Sequence, residues 1–435
     1  MKVILILSLL LHNQINLKLT SKSDYDYSNY KSVENNKDLK DQTIISKGVD
    51  ESVLYINSTD KVYVENSKIY KELGDSSNIE NSEFYGVNAA ILVQGGNYEM
   101  KGGEIKSKVK GGNALVATND ATVKIRDTKI ESTGERSARG LHATYGGNIY
   151  GESVNIKTTG ESCASLATDR GEGIVYCKQC TLSTLGKGSP LIYSTGNITI
   201  ENTQGTSEGA QTVVVEGKNF AEIKGSSHIK CNAVPNRDDV DQCGVMIYQS
   251  FSGDAQVGNS KLICTDSQIE ILSSSNYYKT APMFFITNNN ANIELNKCQF
   301  SYGSNIFLSI KGTNIWGKEG QNGGDVTLTL TNEDIEGNFV LDNISSLTLK
   351  IVKSKIKGTI NGNKAAKKLA IDMDKESEII LTGNSYYTEF KNEKTDGSNL
   401  INGTYSWSKS NNSNDAIKIG YLYILCLLLF NGLLL

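Results

Sequence analysis

NALVATNDATVKIRDTKIESTG, residues 113–134, decides the fold. Its apolar start, Leu115-Val116-Ala117, runs into Asn119-Asp120, residue types that suit tight turns. Val123-Lys124-Ile125-Arg126 then alternates apolar with charged, the period of a half-buried strand. Asp127 marks a second turn, Lys129-Ile130-Glu131 a third short strand, and Gly134 closes the unit. The same column returns in RGLHATYGGNIYGESVNIKTTG (139–160) and ASLATDRGEGIVYCKQCTLSTLG (164–186). It continues through PLIYSTGNITIENTQG (190–205), TVVVEGKNFAEIKGSSHIKC (212–231), VMIYQSFSGDAQVGNSKLICTDSQIEI (245–271) and PMFFITNNNANIELNKCQF (282–300). Three short strands recurring every two dozen or so residues are the mark of a solenoid. We read the chain as all-β, a right-handed parallel β-helix. In this register Ile125, Ile223 and Leu295 point inward, and Cys177 and Cys264 fall in the same inward column.

Composition agrees with that architecture. The 435 residues include 41 Gly, which supply turn positions with positive φ, and only three Pro, as expected where ladders need every N–H. At about 25 residues per coil there is room for roughly 12 or 13 coils stacked at about 4.8 Å. Basic residues number 44 and acidic residues 48, mixed along the chain to a net charge of −4. Without a polycationic surface, nucleic acid is not expected as a partner.

The chain divides into five stretches. Met1-Lys2 followed by VILILSLLL reads as a secretory signal over residues 1–22. Residues 23–50, Tyr-, Asn- and Lys-rich with few aliphatics, read as a disordered linker. The β-helix spans 51–388, with residues 51–85 as an N-terminal cap over the first full coil. A Gly-, Asn- and Ser-rich stalk covers 389–415. Residues 416–435 carry the apolar run IGYLYILCLLLFNGLLL, the pattern of a glycosylphosphatidylinositol signal, with Ser410, Asn411, Asn412 or Ser413 as the attachment residue. A retained transmembrane helix is the competing reading. A secreted, membrane-anchored cell-surface protein follows from the two ends, and Asn57, Asn197, Asn343, Asn402 and Asn411 head glycosylation triplets. CNAVPNRDDVDQC (231–243), SSSNYYKT (273–280) and KGTNIWGKEGQNGGD (311–325) interrupt the register and are expected as loops on the outside.

The short motifs NAAILVQGG, GLHATYGG, LATDRGEG, YSTGNI, VVEGKN, MIYQSFSGDAQVG and NGGDVTLTL resemble those of the adhesin-like right-handed parallel β-helix repeat proteins. These are secreted bacterial proteins of the pectate-lyase-like superfamily. The resemblance covers roughly Val87 to Thr388, and GVMIYQSFSGDAQVG from Gly244 is its most specific piece. It implies the fold and an extracellular place, not a reaction. The cysteines and the anchor signal depart from the bacterial pattern and suggest a surface protein of a microbial eukaryote.

Eight cysteines are present, and Cys426 lies in the tail, so an odd number remains in the mature chain. Cys231 and Cys243 bracket a short excursion and are the expected disulfide. Cys177-Lys178-Gln179-Cys180 has neither a second pair for a metal nor a thioredoxin-like helix start. No metal or other cofactor is expected, except Ca²⁺ should the chain be a polysaccharide lyase. His142 and His228 fall in different coils and read as surface imidazoles.

Carboxylates and aromatics carry the functional expectation. The first turn of successive coils presents Asn119-Asp120, Tyr145, Asp169-Arg170, Glu216 with Lys218, and then Gln249 and Ser250, while Tyr150, Tyr176, Tyr193, Tyr248 and Phe251 recur near the same turn and the second strand. Asp169 and Glu216, two coils apart, would stand about 10 Å from one another at strand spacing. That is near the upper end for an inverting glycosidase pair. Asp169, Arg170 and Glu216 are therefore catalytic candidates. Tyr145, Asp169, Arg170, Glu216, Lys218, Tyr248, Gln249 and Trp316 are ligand-binding candidates. Rings on a flat ladder suit the C–H faces of sugars. The competing reading of the same residues is a solvated edge of turn residues and ordinary surface ion pairs. The expected function is adhesion to, or recognition of, a glycan or another surface. The alternatives are a polysaccharide lyase or glycoside hydrolase, and a structural coat protein.

Overall fold

The computed structural model describes residues 22–237 and 240–410. Among these residues three parallel sheets of 12, 14 and 10 strands run along the molecule. Each coil contributes one strand to each sheet. Leu115–Thr118, Thr122–Arg126 and Lys129–Ser132 form one such triplet. They pair forward with Leu141–Ala143, Gly147–Glu152 and Asn155–Thr158 of the next coil. Every strand therefore finds its partner one coil away, which defines a parallel β-helix. Among the described residues strand accounts for 48% and helix for 2%, so the core is built from strands alone. The third wall is carried on after Ser301 by a 4-stranded sheet from Asp334–Glu336 to Leu400–Ile401.

Inward side chains stack in columns. Ile125, Gly151, Cys177, Ile200, Ile223, Cys264 and Leu295 stand opposite one another in consecutive coils. All are buried. Each such aliphatic side chain contributes about 1.5–3 kcal/mol by leaving water.

The corner between the second and third sheets has its own chemistry. Asn66, Asp127, Asn202, Asp266 and Asn332 hold φ between 48° and 53° there, a left-handed turn that Asn and Asp tolerate because their side chains bond locally. The residue after each turn faces the core and is usually a hydroxyl. Thr203 Oγ1 accepts from Cys180 N, Ser227 Oγ from Thr203 N, and Ser377 Oγ from Ser354 N, at 3.1–3.2 Å. Backbone N–H groups that the turn removes from the sheet are thus satisfied by the next coil.

Both ends of the helix extend further than the sequence reading placed them. Residues 23–50 are not a linker: Lys31–Asn35, Leu39–Lys40 and Thr43–Ser46 make a coil paired with the one after it. Lys61–Glu65 and Lys68–Lys71 pair forward within the second and third sheets, so residues 51–71 are a regular coil rather than a cap, and a short helix follows at Ile79–Tyr85. Residues 389–410 are not a stalk either, because Glu389–Asn392, Leu400–Ile401 and Trp407–Lys409 close a last coil. Aromatic rings replaced aliphatics at both ends and hid the pattern. Trp407 packs 4.9 Å from Tyr387 and 5.1 Å from Phe390. The second sheet's 14 strands accordingly exceed the 12 or 13 coils expected from the period.

The outer face of the first sheet is covered rather than wet. Its outward column is Tyr55, Leu92, Val116, His142, Ala167, Tyr193, Val214, Met246 and Phe285. Tyr27 and Tyr30 pack on the N-terminal part with Tyr55, Leu92 and Val116. Beside them lies α1 (Ile79–Tyr85), capped by the Asn78 side chain and ended by Gly86 at φ 74°. Val240, Cys243, Ile315 and Trp316, from two of the insertions, pack on Val214, Met246 and Phe285. Lys311 and Asp241 join those two loops at 2.9 Å. Between the covers a gap is left beside Tyr193.

Candidate functional site: a cleft on the first sheet

The gap is a cleft of about 240 Å³ whose lining includes Glu83, Phe84, Arg139, Asp169, Tyr193 and Tyr248. A narrower recess continues past Tyr193 and Tyr248 to Trp316. Arg139 and Asp169 lie at turns at opposite ends of adjacent first-sheet strands. Arg139 Nη1 meets Asp169 Oδ2 at 2.9 Å, and their side chains are 8% and 5% exposed. Burial pushes the Asp169 carboxyl up to about 7, against the pull of Arg139. His142 lies beneath this pair. Its Nε2 donates to the Glu83 carbonyl at 2.7 Å and stands 3.1 Å from Arg139 Nη1. Burial, then Arg139, brings its pKa down to about 3, so the ring is neutral. It is not a surface imidazole.

Glu216 ends its strand at the first turn, two coils beyond Asp169 in the register. It is 1% exposed. It accepts from Tyr193 Oη at 2.6 Å, Tyr248 Oη at 2.8 Å, and the Ser250 backbone and hydroxyl. Its carboxylate thus fixes two phenols. Burial and the Glu216 charge push both of them up, so they remain donors. The Trp316 ring lies 4.6 Å from that of Tyr248. Tyr193, Tyr248 and Trp316 are each partly exposed and give the cleft an aromatic wall.

A strap crosses near the mouth. Arg170 donates to Asp254 at 2.6 Å and lies 3.7 Å over the Phe84 ring, so it touches both α1 and the loop after Tyr248. Gln249 is buried and donates to Ala255 O at 3.2 Å, holding that loop.

The structure therefore gathers part of the expected site and disperses the rest. Asp169 and Tyr248 line the cleft and Trp316 its recess, Glu216 is buried behind the rings of Tyr193 and Tyr248 that it holds, and Arg170 bounds the mouth. Tyr145 does not present a free ring: it is 6% exposed and stacks on Tyr85 at 5.8 Å. Lys218 pairs with Glu172 at 2.9 Å outside the cleft. Gln249 is an anchor for a loop. The solvated-edge reading fails for Asp169 and Glu216, which are buried and held. Arg139, Glu83 and Asp254 had no signal in the sequence, because they reach the cleft from turns and covers. Tyr193 recurs with the other rings near the first turn, but parity alone did not decide whether it faces in or out.

The buried carboxylates do not form a calcium site. Calcium needs about six to eight oxygen ligands, whereas Asp169 faces a guanidinium and Glu216 faces hydroxyl donors. Among the described residues no group of three or more His, Cys, Asp or Glu is placed to hold a metal ion.

Cysteine pairing differs from expectation. Cys177 and Cys180 form a disulfide. Cys231 and Cys243 are buried thiols. Burial pushes the Cys231 thiol up to about 12. The excursion they bracket is closed instead by packing of Val240 and Cys243 on the first sheet. Asp238 and Asp239 lie outside the described residues. Asn57, Asn197, Asn343 and Asn402 are exposed. Ser410 is buried, its N–H bonded to Tyr387 O at 2.6 Å. Asn411, Asn412, Ser413, residues 1–21 of the expected signal segment and the apolar tail lie outside the described residues.

Comparison with protein-family models, curated proteins and solved structures gives no match.

Proposed function

We propose that this protein is a secreted, cell-surface recognition protein that binds a glycan chain in the cleft beside Tyr193. The observation that carries this reading is the aromatic wall of Tyr193, Tyr248 and Trp316, held by Glu216 beside the Arg139–Asp169 pair. Fixed rings offer a face for sugar C–H groups, and fixed polar groups beside them set the orientation of a ligand. Surface display is supported by the apolar segments toward both ends of the sequence. The Cys177–Cys180 disulfide suits an oxidising compartment. The lipid anchor and glycosylation of the exposed triplets belong to the same proposal. Release from cells by phosphatidylinositol-specific phospholipase C tests the anchor.

One observation favours cleavage as a second reading. Burial raises the Asp169 carboxyl against the pull of Arg139, the direction of shift that a general acid requires. Glu216, its partner at about 10 Å by coil spacing, is already bonded by donors and suits holding rings better than activating water. The test is a glycan array probed with residues 22–410, scoring retention and released fragments together. Retention without fragments is expected. Fragments from a retained glycan would move the assignment to an enzyme, and no retention on any glycan would overturn both.

A further inference from the structure

Five of the described cysteines are buried thiols outside the Cys177–Cys180 bond, and two of them are not independent. The Cys298 sulfur lies 2.6 Å from that of Cys264. Non-bonded heavy atoms ordinarily rest at about 3.5–4.0 Å. The register explains the encounter. Cys264 stands in the inward column of the second sheet, opposite Leu295 of the next coil. Cys298 follows Leu295 at the corner where hydroxyls usually face the core, and its N–H donates to Glu333 at 2.9 Å. Cys177 and Cys180 occupy the same two places, column and corner, within a single coil. The corner thus brings sulfur to sulfur twice, once within a coil and once between coils.

We propose that Cys264 and Cys298 form a second disulfide, which clasps two consecutive coils. These coils adjoin the 232–243 and 311–323 loops that cover the first sheet, where long excursions replace tight turns. The bond would form while the chain is still open. In the folded corner, the Cys298 neighbour and burial push the Cys264 thiol well up, and a protonated thiol does not attack. The oxidant is an exchangeable disulfide, either oxidised glutathione or the disulfide of a folding oxidoreductase. One thiolate attacks it to give a mixed disulfide and releases one thiol. The second thiolate then displaces the other half. Two S–H bonds are lost, one S–S bond forms, and the oxidant leaves as two thiols.

Peptide mapping of the full chain secreted from a eukaryotic host tests the clasp. Free thiols are alkylated under denaturing conditions without reductant, and the protein is digested with trypsin. Peptides 262–279 and 298–311 each carry one cysteine. They are expected as one linked species that separates on reduction. Recovery of both as alkylated single peptides overturns the proposal, whatever the state of Cys177 and Cys180, as does linkage of either to Cys163, Cys231 or Cys243. A Cys298→Ser variant places at the corner the residue found at Ser267 and Ser354, so it is expected to fold. It should melt below the parent without reductant and level with it once both are reduced. Equal melting without reductant overturns the clasp.

Discussion

Arg139 Nη1 and Asp169 Oδ2 meet at 2.9 Å in a cleft where both side chains are almost withdrawn from solvent. A pair so placed matters more for what its loss leaves behind than for its own attraction. Removing one partner of a buried pair typically costs about 3–5 kcal/mol, because the other charge stays buried. Arg139→Ala should therefore lower the denaturation midpoint strongly. Asp169→Asn should cost less, since Glu83 remains 3.9 Å from Arg139. Equal midpoints for both variants and the parent in urea would count against a buried pair.

Glycan retention should follow the rings that the cleft exposes. Tyr193→Ala removes a ring held by Glu216 and should weaken binding by about 2 kcal/mol or more, the range of interface hot spots. Tyr150→Ala removes a ring on the outer face of the second sheet, away from the cleft, and should leave binding unchanged. Titration of both variants with the best array ligand checks the contrast. Equal losses would move the site off the first sheet.

Glu333 gives the protein a pH signature. Burial pushes its carboxyl from 4.5 up to about 7, and Oε2 has no partner. Between those values the unfolded chain has lost the proton and the folded chain keeps it. Stability from this residue is thus full below about pH 4.5, falls as pH rises, and is lost above about 7. The slope is at most about 1.4 kcal/mol per pH unit. Glu333→Gln should flatten the melting temperature across this window and melt above the parent at its alkaline end. A parallel shift at every pH would rule out titration of Glu333.

Ile125 is 1% exposed and sits in a column of inward residues. Ile125→Asp would place an unpaired charge there, at a cost of several kcal/mol. The variant should fail to be secreted or should melt far below the parent. Secretion and melting like the parent would mean that the residue is not inside.

The strands, the inward columns and the extent of the central coils could be read directly from the sequence. Alternation such as Val123-Lys124-Ile125-Arg126 is local, and the coil repeats it often enough to fix the register. The ends were harder, because Tyr25, Tyr27 and Tyr30 bury through ring packing rather than aliphatic alternation. Parity did not decide which way Tyr193 faces, and it could not show that the outward face of the first sheet is covered. The sequence by itself determined the period, and with it the fold and the face on which Asp169 and Glu216 would lie. Only the tertiary structure decided that Arg139, Glu83 and Asp254 join them, that Tyr145 is sealed by Tyr85, and that Cys177 meets Cys180 while Cys264 meets Cys298. Those contacts depend on where α1 and the inserted loops fold back onto the coil. That folding back is set by packing between residues dozens of positions apart, which no local pattern records.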